Sequence, residues 1–229
     1  MDRTRRAERA IAESQVIAGY SRYLELIADL TKGKKIVSSG MRQETERCRK
    51  ALELAQSGET VALVSSGDPG IYGMAGLALE LAASEGRPVP IEVIPGITAS
   101  SAAAARLGAP LMLDYAVISL SDLLVPWETI RKRIEAVAAA DLVTVLYNPR
   151  SKKRVKQLEE ALVLFAAHRP GTTPVGIGTA VGTEEEQIVL TDLAQVLEKE
   201  IGIRSLLIIG NRSSKKVLDW FITPRGYKV

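Results

Sequence analysis

The stretch VSSGDPGIYG, residues 64–73, decides how the rest of the chain is read. It follows an apolar run at 60–64 and leads into a small-residue helical pattern at 74–83, the signature of a strand, a glycine-rich turn and a helix. The turn has three glycines but no Lys, so it is not a Walker-type phosphate loop, and its spacing is not Gly-x-Gly-x-x-Gly. It offers bare backbone, one carboxylate, one Tyr and no fixed positive charge. Asp68-Pro69 can also be read as a helix start, with Asp capping free N–H groups and Pro at the first helical position. The functional reading is that Gly67 and Gly70 let the main chain approach a ligand closely. That ligand would be neutral or zwitterionic and nucleotide-like, since a triphosphate would bring Lys or magnesium ligands with it.

Outward from this junction the pattern repeats in kind. Short β-rich runs fall at 15–18, 35–38, 61–65, 91–94, 116–120, 142–147, 173–178, 187–190 and 204–209. Helical patterns fill most gaps, at 3–13, 21–30, 44–56, 72–83, 99–107, 127–139, 152–167 and 192–199. Such alternation predicts an α/β class with parallel strands and crossover helices. The stretch LGAPLMLDY, 107–115, can end a helix at Gly108 and block its continuation at Pro110. It divides the chain into two expected α/β domains, 1–112 and 113–229. On such folds ligands collect at the carboxyl ends of strands.

Three further strand-end turns carry candidate chemistry. IPGITASSA, 94–102, is a Pro-Gly turn before a helix of Ala and Ser, with Thr98 as N-cap. Its small side chains admit a close neighbour, and tight packing of the helix on a sheet explains them as well. VLYNPR, 145–150, ends a buried strand in polar groups and is followed by a basic cluster, 151–154. Cations at a helix start oppose the macrodipole, which suggests carboxylate binding against the plainer reading of a solvated basic face. GIGTAVGT, 176–183, is the third. His168 reads as an exposed helix end, Cys48 as packed in mid-helix, and 184–186 as a solvated acidic turn.

Composition bounds the rest. A chain of 229 residues, 46% hydrophobic and 25% charged, is ordinary globular chemistry. One Cys and one His exclude an intrachain disulfide and leave little for a metal site, so none is expected. The first residues, MDRTRRAERA, have no apolar h-region, and no run approaches the ~20 apolar residues of a membrane helix. The expectation is a cytoplasmic protein that engages no membrane. A net charge of +3 permits an anionic ligand without demanding nucleic acid, and no nucleic-acid partner is expected.

With these segments assembled, the sequence resembles the tetrapyrrole (corrin/porphyrin) methyltransferases. Within them it is most similar to the branch that methylates C17 of precorrin-3B. The resemblance covers essentially the whole chain: Gly19-Tyr20, Gly40-Met41 with Glu44 and Arg47-Cys48, SSGDPGIYGMAG (65–76), IPGITASSAAAARLGAPL (94–111), SLSDLLVPW (119–127), YNPRS (147–151) and ITPRGY (222–227). The SGDPGIYG and PGITA blocks mark the superfamily, and the SLSDLL-PW and YNPRS blocks mark the branch. It implies two α/β domains with a cofactor cleft between them, S-adenosylmethionine as methyl donor, and a homodimer. By motif, the cofactor contacts would be Ser66, Gly67, Asp68, Ile71, Thr98, Ala99, Asn148 and Gly182. The implied substrate is a macrocycle bearing many carboxylates, with Gly40, Met41, Arg150, Lys152, Lys153 and Arg154 as candidate contacts. Methylation in this branch is coupled to ring contraction, with Asp122 as candidate acid–base and Ser119 and Ser121 as candidate hydrogen-bond donors. Asp122 reads equally as a helix cap or turn residue.

The resemblance has one departure. The family opens with a strand and a Gly-x-Gly-Pro-Gly loop just before a helix like the one at 3–13, and the 229 residues contain neither. A first strand is therefore expected to be missing from the first sheet. The alternatives kept open are a tetrapyrrole methylase of different regiospecificity, a different nucleotide-binding enzyme class, and a chain that binds cofactor without turnover. The SLSDLL and YNPRS blocks argue against the first, and the lack of Gly-x-Gly-x-x-Gly and of a Walker Lys against the second. Whether the substrate carries cobalt is not legible.

Overall fold

The computed structural model describes residues 2–86 and 88–228. In chain order the elements are α1 (Arg5–Glu13), β1 (Val16–Tyr20), α2 (Ser21–Glu25), β2 (Lys35–Ser39), α3 (Glu44–Gln56), β3 (Val61–Val64), α4 (Ala75–Ser84) and α5 (Ala99–Leu107). They continue as β4 (Gly108–Ala109), β5 (Tyr115–Ser119), α6 (Trp127–Ala139), β6 (Val143–Tyr147), α7 (Lys156–Ala166), β7 (Pro174–Thr179), β8 (Gln187–Asp192), β9 (Ser205–Ile209), β10 (Lys215–Val217) and β11 (Trp220–Ile222). The chain divides into two compact units, Asp2–Thr98 and Ala99 onward.

In the first unit a parallel sheet has the order β2-β1-β3. Val16, Ile17 and Ala18 of the central strand are fully buried. Both faces of that strand are covered, which is why it reads as an unbroken apolar run. Ile11, Leu24 and Ile27 cover one face of the sheet together with Ala62 and Val64. Cys48, Leu52, Ala78 and Leu81 cover the other with Leu63, so successive residues of β3 serve opposite cores. Burial pushes the Cys48 thiol up to about 11, and the group stays neutral at physiological pH. We expect iodoacetamide at pH 8 to leave Cys48 of the native chain unmodified while labelling the unfolded chain completely; rapid native labelling would contradict its burial. Because the unfolded thiol titrates near 9.0, stability also falls as pH rises from there through about 11.

In the second unit a mixed sheet has the order β5-β6-β9-β7-β8. Only β5 and β6 pair in parallel; β9 runs antiparallel to β6 and β7, and β8 antiparallel to β7. The expectation of parallel strands throughout therefore fails here. The segment joining β7 to β8 is too short for a crossover helix and can only close a hairpin. The helix expected at 192–199 is reduced to turns and one 3-10 turn, Val196–Glu198. On one face Ile118, Leu146, Ile177 and Leu207 pack beneath α6 and α7. On the other, Val143, Val145, Leu206 and Ile208 pack with Ala103, Ala104 and Leu107 of α5.

Helix α5 belongs to the second unit, so the units divide at Thr98/Ala99 rather than at the 112/113 boundary read from the turn at 107–115. The cause is packing. A Cβ on Gly176 of β7 would lie 2.3 Å from Leu107 Cδ1, and one on Gly178 would lie 3.0 Å from Ala103 Cβ. The small residues of α5 and the glycines of β7 thus bring helix and sheet together. Gly108 takes φ +125 and pairs in β4 with β11, opposite Phe221. The hairpin β10–β11 carries no alternating apolar pattern and was not expected.

The run 91–94 takes no regular secondary structure, and among the described residues it joins no ladder. Ile91 and Val93 are exposed, and β3 lacks a second neighbour on that side among the described strands. No described helix is long and apolar enough to cross a membrane.

Candidate active site

In the first unit, β1, β2 and β3 are parallel, so their carboxyl ends share one edge. That edge carries Gly40 and Met41 after β2 and the turn 65–73 after β3. The turn does not open directly into a helix. Asp68 caps no α-helix, because α4 begins only at Ala75. Instead its carboxylate staples two turns: Oδ1 accepts from Gly70 N–H at 2.8 Å and Oδ2 from Gly96 N–H at 3.0 Å. Gly67 takes φ +67 and Tyr72 φ +54, and Ser65 Oγ accepts from Met74 N–H at 3.1 Å. Ser66, Gly67 and Ile71 face solvent, while Asp68 is turned inward and spent on backbone donors.

Beside this turn, the Arg47 guanidinium is buried with neutral partners. It donates to Ser39 Oγ at 2.7 Å and to the Gly40 carbonyl at 2.8 Å, and reaches Met74 Sδ at 3.8 Å. It thereby fixes the backbone of Gly40, whose N–H donates to Gln43 Oε1 at 2.7 Å. Met41 is exposed at the tip. Sequence reasoning quoted Arg47 without giving it a task; a charged residue on the apolar side of a helix was the available signal.

In the second unit two antiparallel steps, β6 to β9 and β9 to β7, leave β7 parallel to β6. The carboxyl ends of β5, β6 and β7 therefore share an edge, and Ser119, Asn148 and the turn bearing Gly182 lie along it. Ala99 and Ser100 join this edge through Tyr147, whose hydroxyl accepts from Ser100 N–H at 2.8 Å. Asn148 takes the left-handed φ of +50, and its Nδ2 donates to Ser119 Oγ at 3.0 Å. Ser119 Oγ also accepts from Ser121 N–H at 3.2 Å. Asp122 Oδ2 accepts from Gln157 Nε2 at 2.8 Å, a partner on α7 that its position in the sequence does not betray.

Two sequence readings change. Arg154, grouped with the carboxylate-binding cluster, has a side chain only 11% exposed. It donates from Nη2 to the Asn148 carbonyl at 2.6 Å, with Nη1 4.0 Å from Asp122 Oδ1. Lys152 and Lys153 do face solvent, and Arg150 lies 3.4 Å from Glu159. The acidic turn 184–186 is not merely solvated. Glu186 accepts from Gly182 N–H at 2.6 Å and pairs with Arg106 at 2.9 Å, so the Gly182 N–H is already committed.

A model of the tetrapyrrole (corrin/porphyrin) methylases matches residues 2–197. The chain belongs to that family and is an S-adenosylmethionine-dependent methyltransferase. A cobalt-factor III methyltransferase of Priestia megaterium is 46% identical over 229 residues, 98% of this chain but 42% of the relative. A probable cobalt-factor III C(17)-methyltransferase of Salmonella typhimurium is 46% identical over 224 residues, 98% of this chain and 93% of the relative. Among solved structures, that of the methyltransferase CobJ matches with TM-score 0.90 at 36% identity, covering 96% of this chain and 93% of its own. A cobalt precorrin-4 methyltransferase, CbiF, shares the fold at TM-score 0.71 and 21% identity, over 90% of this chain and 88% of its own.

The first-unit edge fits such a donor. It presents backbone and small polar groups with an apolar Ile71, and no Lys stands in the turn where a phosphate would need one.

Proposed function

We propose that this chain methylates C17 of a cobalt-factor III type tetrapyrrole and couples the transfer to ring contraction in cobalamin biosynthesis. The observation that carries the reading is 46% identity, over nearly the full length of both chains, to a relative named for that position and substrate. S-adenosylmethionine supplies a methyl group already activated on a sulfonium, so the residues need only align reactants and exclude water. Such alignment lowers barriers by roughly 7–11 kcal/mol.

In this reading the contacts to the donor are Ser66, Gly67, Ile71, Thr98, Ala99, Asn148 and the Gly182 turn. Asp68 acts by keeping the 65–73 and 95–98 turns in register. Gly40 and Met41 meet the macrocycle, and Arg150, Lys152 and Lys153 meet its carboxylates, Arg through bidentate geometry. The C17 carbon supplies the electron pair for the new C–C bond, and the C–S bond breaks with its pair passing to sulfur. Asp122 moves the protons that contraction requires, and Ser119 and Ser121 donate hydrogen bonds to the substrate oxygen concerned. The working form is a cytoplasmic homodimer, which sedimentation of the purified chain tests.

Incubation with cobalt-factor III and trideuteromethyl S-adenosylmethionine should give one labelled methyl, located at C17 by NMR of the product. A methyl on another ring carbon, or none, removes the assignment.

A further inference from the structure

The SLSD and YNPRS segments contain more organisation than their assigned roles use. Asn148 is held at φ +50, in the left-handed region that Asn tolerates better than most L-residues, and its neighbours further fix it there. Arg154 is largely buried, its side chain 11% exposed, and its Nη2 donates to the Asn148 carbonyl at 2.6 Å. Arg154 is itself pinned by a tight turn in which Ser151 N–H donates to the Arg154 carbonyl at 2.9 Å and Arg154 N–H donates to Ser151 Oγ at 3.1 Å.

With its backbone so placed, Asn148 sends Nδ2 to Ser119 Oγ at 3.0 Å, while Ser121 N–H reaches the same oxygen at 3.2 Å. A hydroxyl oxygen has two lone pairs and one proton. Both lone pairs of Ser119 are filled by donors, so it can act neither as a base nor as an acceptor toward a ligand. What remains is its proton.

We propose that Arg154 is a positioning residue: by clamping the Asn148 carbonyl it holds the amide that commits the Ser119 hydroxyl to donating a hydrogen bond to an oxygen of the bound substrate. This rests on the reading above that the β5 end faces the tetrapyrrole. It also sets Arg154 apart from Lys152 and Lys153, because its Nη2 is given to the Asn148 carbonyl and its side chain is only 11% exposed.

The test uses the full chain and the variants Arg154→Met, Arg154→Lys, Ser119→Ala, Asn148→Asp and the double variant Arg154→Met/Ser119→Ala. Arg154→Met and Ser119→Ala should each lower kcat about 100-fold, the scale for losing or misplacing one preorganised donor. KM for the tetrapyrrole should stay within about twofold of wild type, since ground-state binding is untouched. The double variant should be no slower than Ser119→Ala, because both changes remove one device. Arg154→Lys, which can still reach the carbonyl, should recover part of the rate. Asn148→Asp places an acceptor where the donor stood, captures the Ser119 proton, and should match Ser119→Ala.

Arg154→Met raising KM with kcat intact would make Arg154 a substrate ligand and overturn the proposal. So would losses that multiply in the double variant, or an unimpaired Asn148→Asp. A second arm needs no turnover: a crystal structure of Arg154→Met should show Asn148 out of the left-handed region and its Nδ2 beyond hydrogen-bond distance of Ser119 Oγ. An unchanged Asn148 there refutes the proposal even if the variant is slow. If the wild-type chain forms no methylated tetrapyrrole, the functional reading falls, and the crystallographic arm still decides the role of Arg154.

Discussion

Replacing Arg169 by Ala is expected to cost about 3–5 kcal/mol of folding stability. Arg169 follows α7, and its side chain is fully buried. Its Nη2 donates to the Leu142 carbonyl at 2.7 Å and its Nη1 donates to the Gly210 carbonyl. Nε sits 3.7 Å from Asp141, and the guanidinium stacks 4.8 Å from the Phe165 ring. One cation thus closes the start of β6, the end of β9 and the end of α7. Hydrogen bonds to a charged group are worth about 1.5–3 kcal/mol each; the buried Gly210 carbonyl would lose its guanidinium donor, and the half-buried Leu142 carbonyl would keep only the Thr144 hydroxyl at 2.9 Å.

Burial works against the charge and lowers the Arg169 pKa to about 10, with Asp141 raising it and Arg212 lowering it further. The sign follows directly. Below about 10 the buried cation carries a desolvation penalty that the unfolded chain, which titrates at higher pH, does not have; that penalty fades as pH rises above about 10. At neutral pH the hydrogen bonds must outweigh it. For a chain of this size 1 kcal/mol corresponds to roughly 2–4 °C, so the midpoint should fall by about 6–20 °C. A shift under about 3 °C in calorimetry would mean that water replaces the guanidinium at both carbonyls.

Much of this molecule can be read before its coordinates are seen, for physical reasons that differ by segment. The buried central strand β1 and the strands β6 and β9 announce themselves as near-continuous apolar runs because both faces of each sheet are covered. Helices α3 and α6 match their expected bounds because their apolar positions recur at helical spacing. The failures have equally local causes. Residues 91–94 have strand composition, yet a strand exists only where a neighbour supplies the ladder. Residues 192–199 have helical composition but serve as a connection from edge strand β8 to interior strand β9. Topology misled where spacing should have corrected it: no helix fits between β7 and β8.

Legibility of the strand-end edges is uneven in the same way. The glycines and the Asp of SGDPG were visible as a turn, but the partner of Asp68, Gly96 N–H, lies across a long stretch of chain and no spacing rule predicts it. Basic residues 150–154 read as one cluster, yet the fold separates them: Lys152 and Lys153 stay in solvent while Arg154 turns inward. Sequence gives charge, and only packing says whether a charge is free to meet a ligand.

That distant partnership makes Gly96 the most sensitive position of the first-unit edge, and Gly96→Ala should weaken cofactor binding about 100-fold. A Cβ there would stand 2.0 Å from the Gly67 carbonyl oxygen, 3.0 Å from its carbon and 3.4 Å from Asp68 Cα. All three are backbone or Cα atoms, so no flexible side chain can swing aside. Relief requires the 95–98 segment and the SGDPG turn to move apart, which stretches the Asp68 Oδ2 bond to Gly96 N–H from its 3.0 Å. Gly67, at φ +67, then loses the support that holds its unusual conformation. Displacing aligned groups by an ångström costs about 100-fold, and calorimetry with S-adenosylhomocysteine should show a weakening of that order, about 2.7 kcal/mol. Gly76→Ala is the matched control. It lies in α4 with nothing within 4 Å of the added methyl, so it should bind normally and melt slightly higher. If Gly96→Ala binds S-adenosylhomocysteine within threefold of wild type, the paired turns are not where the methyl donor is held.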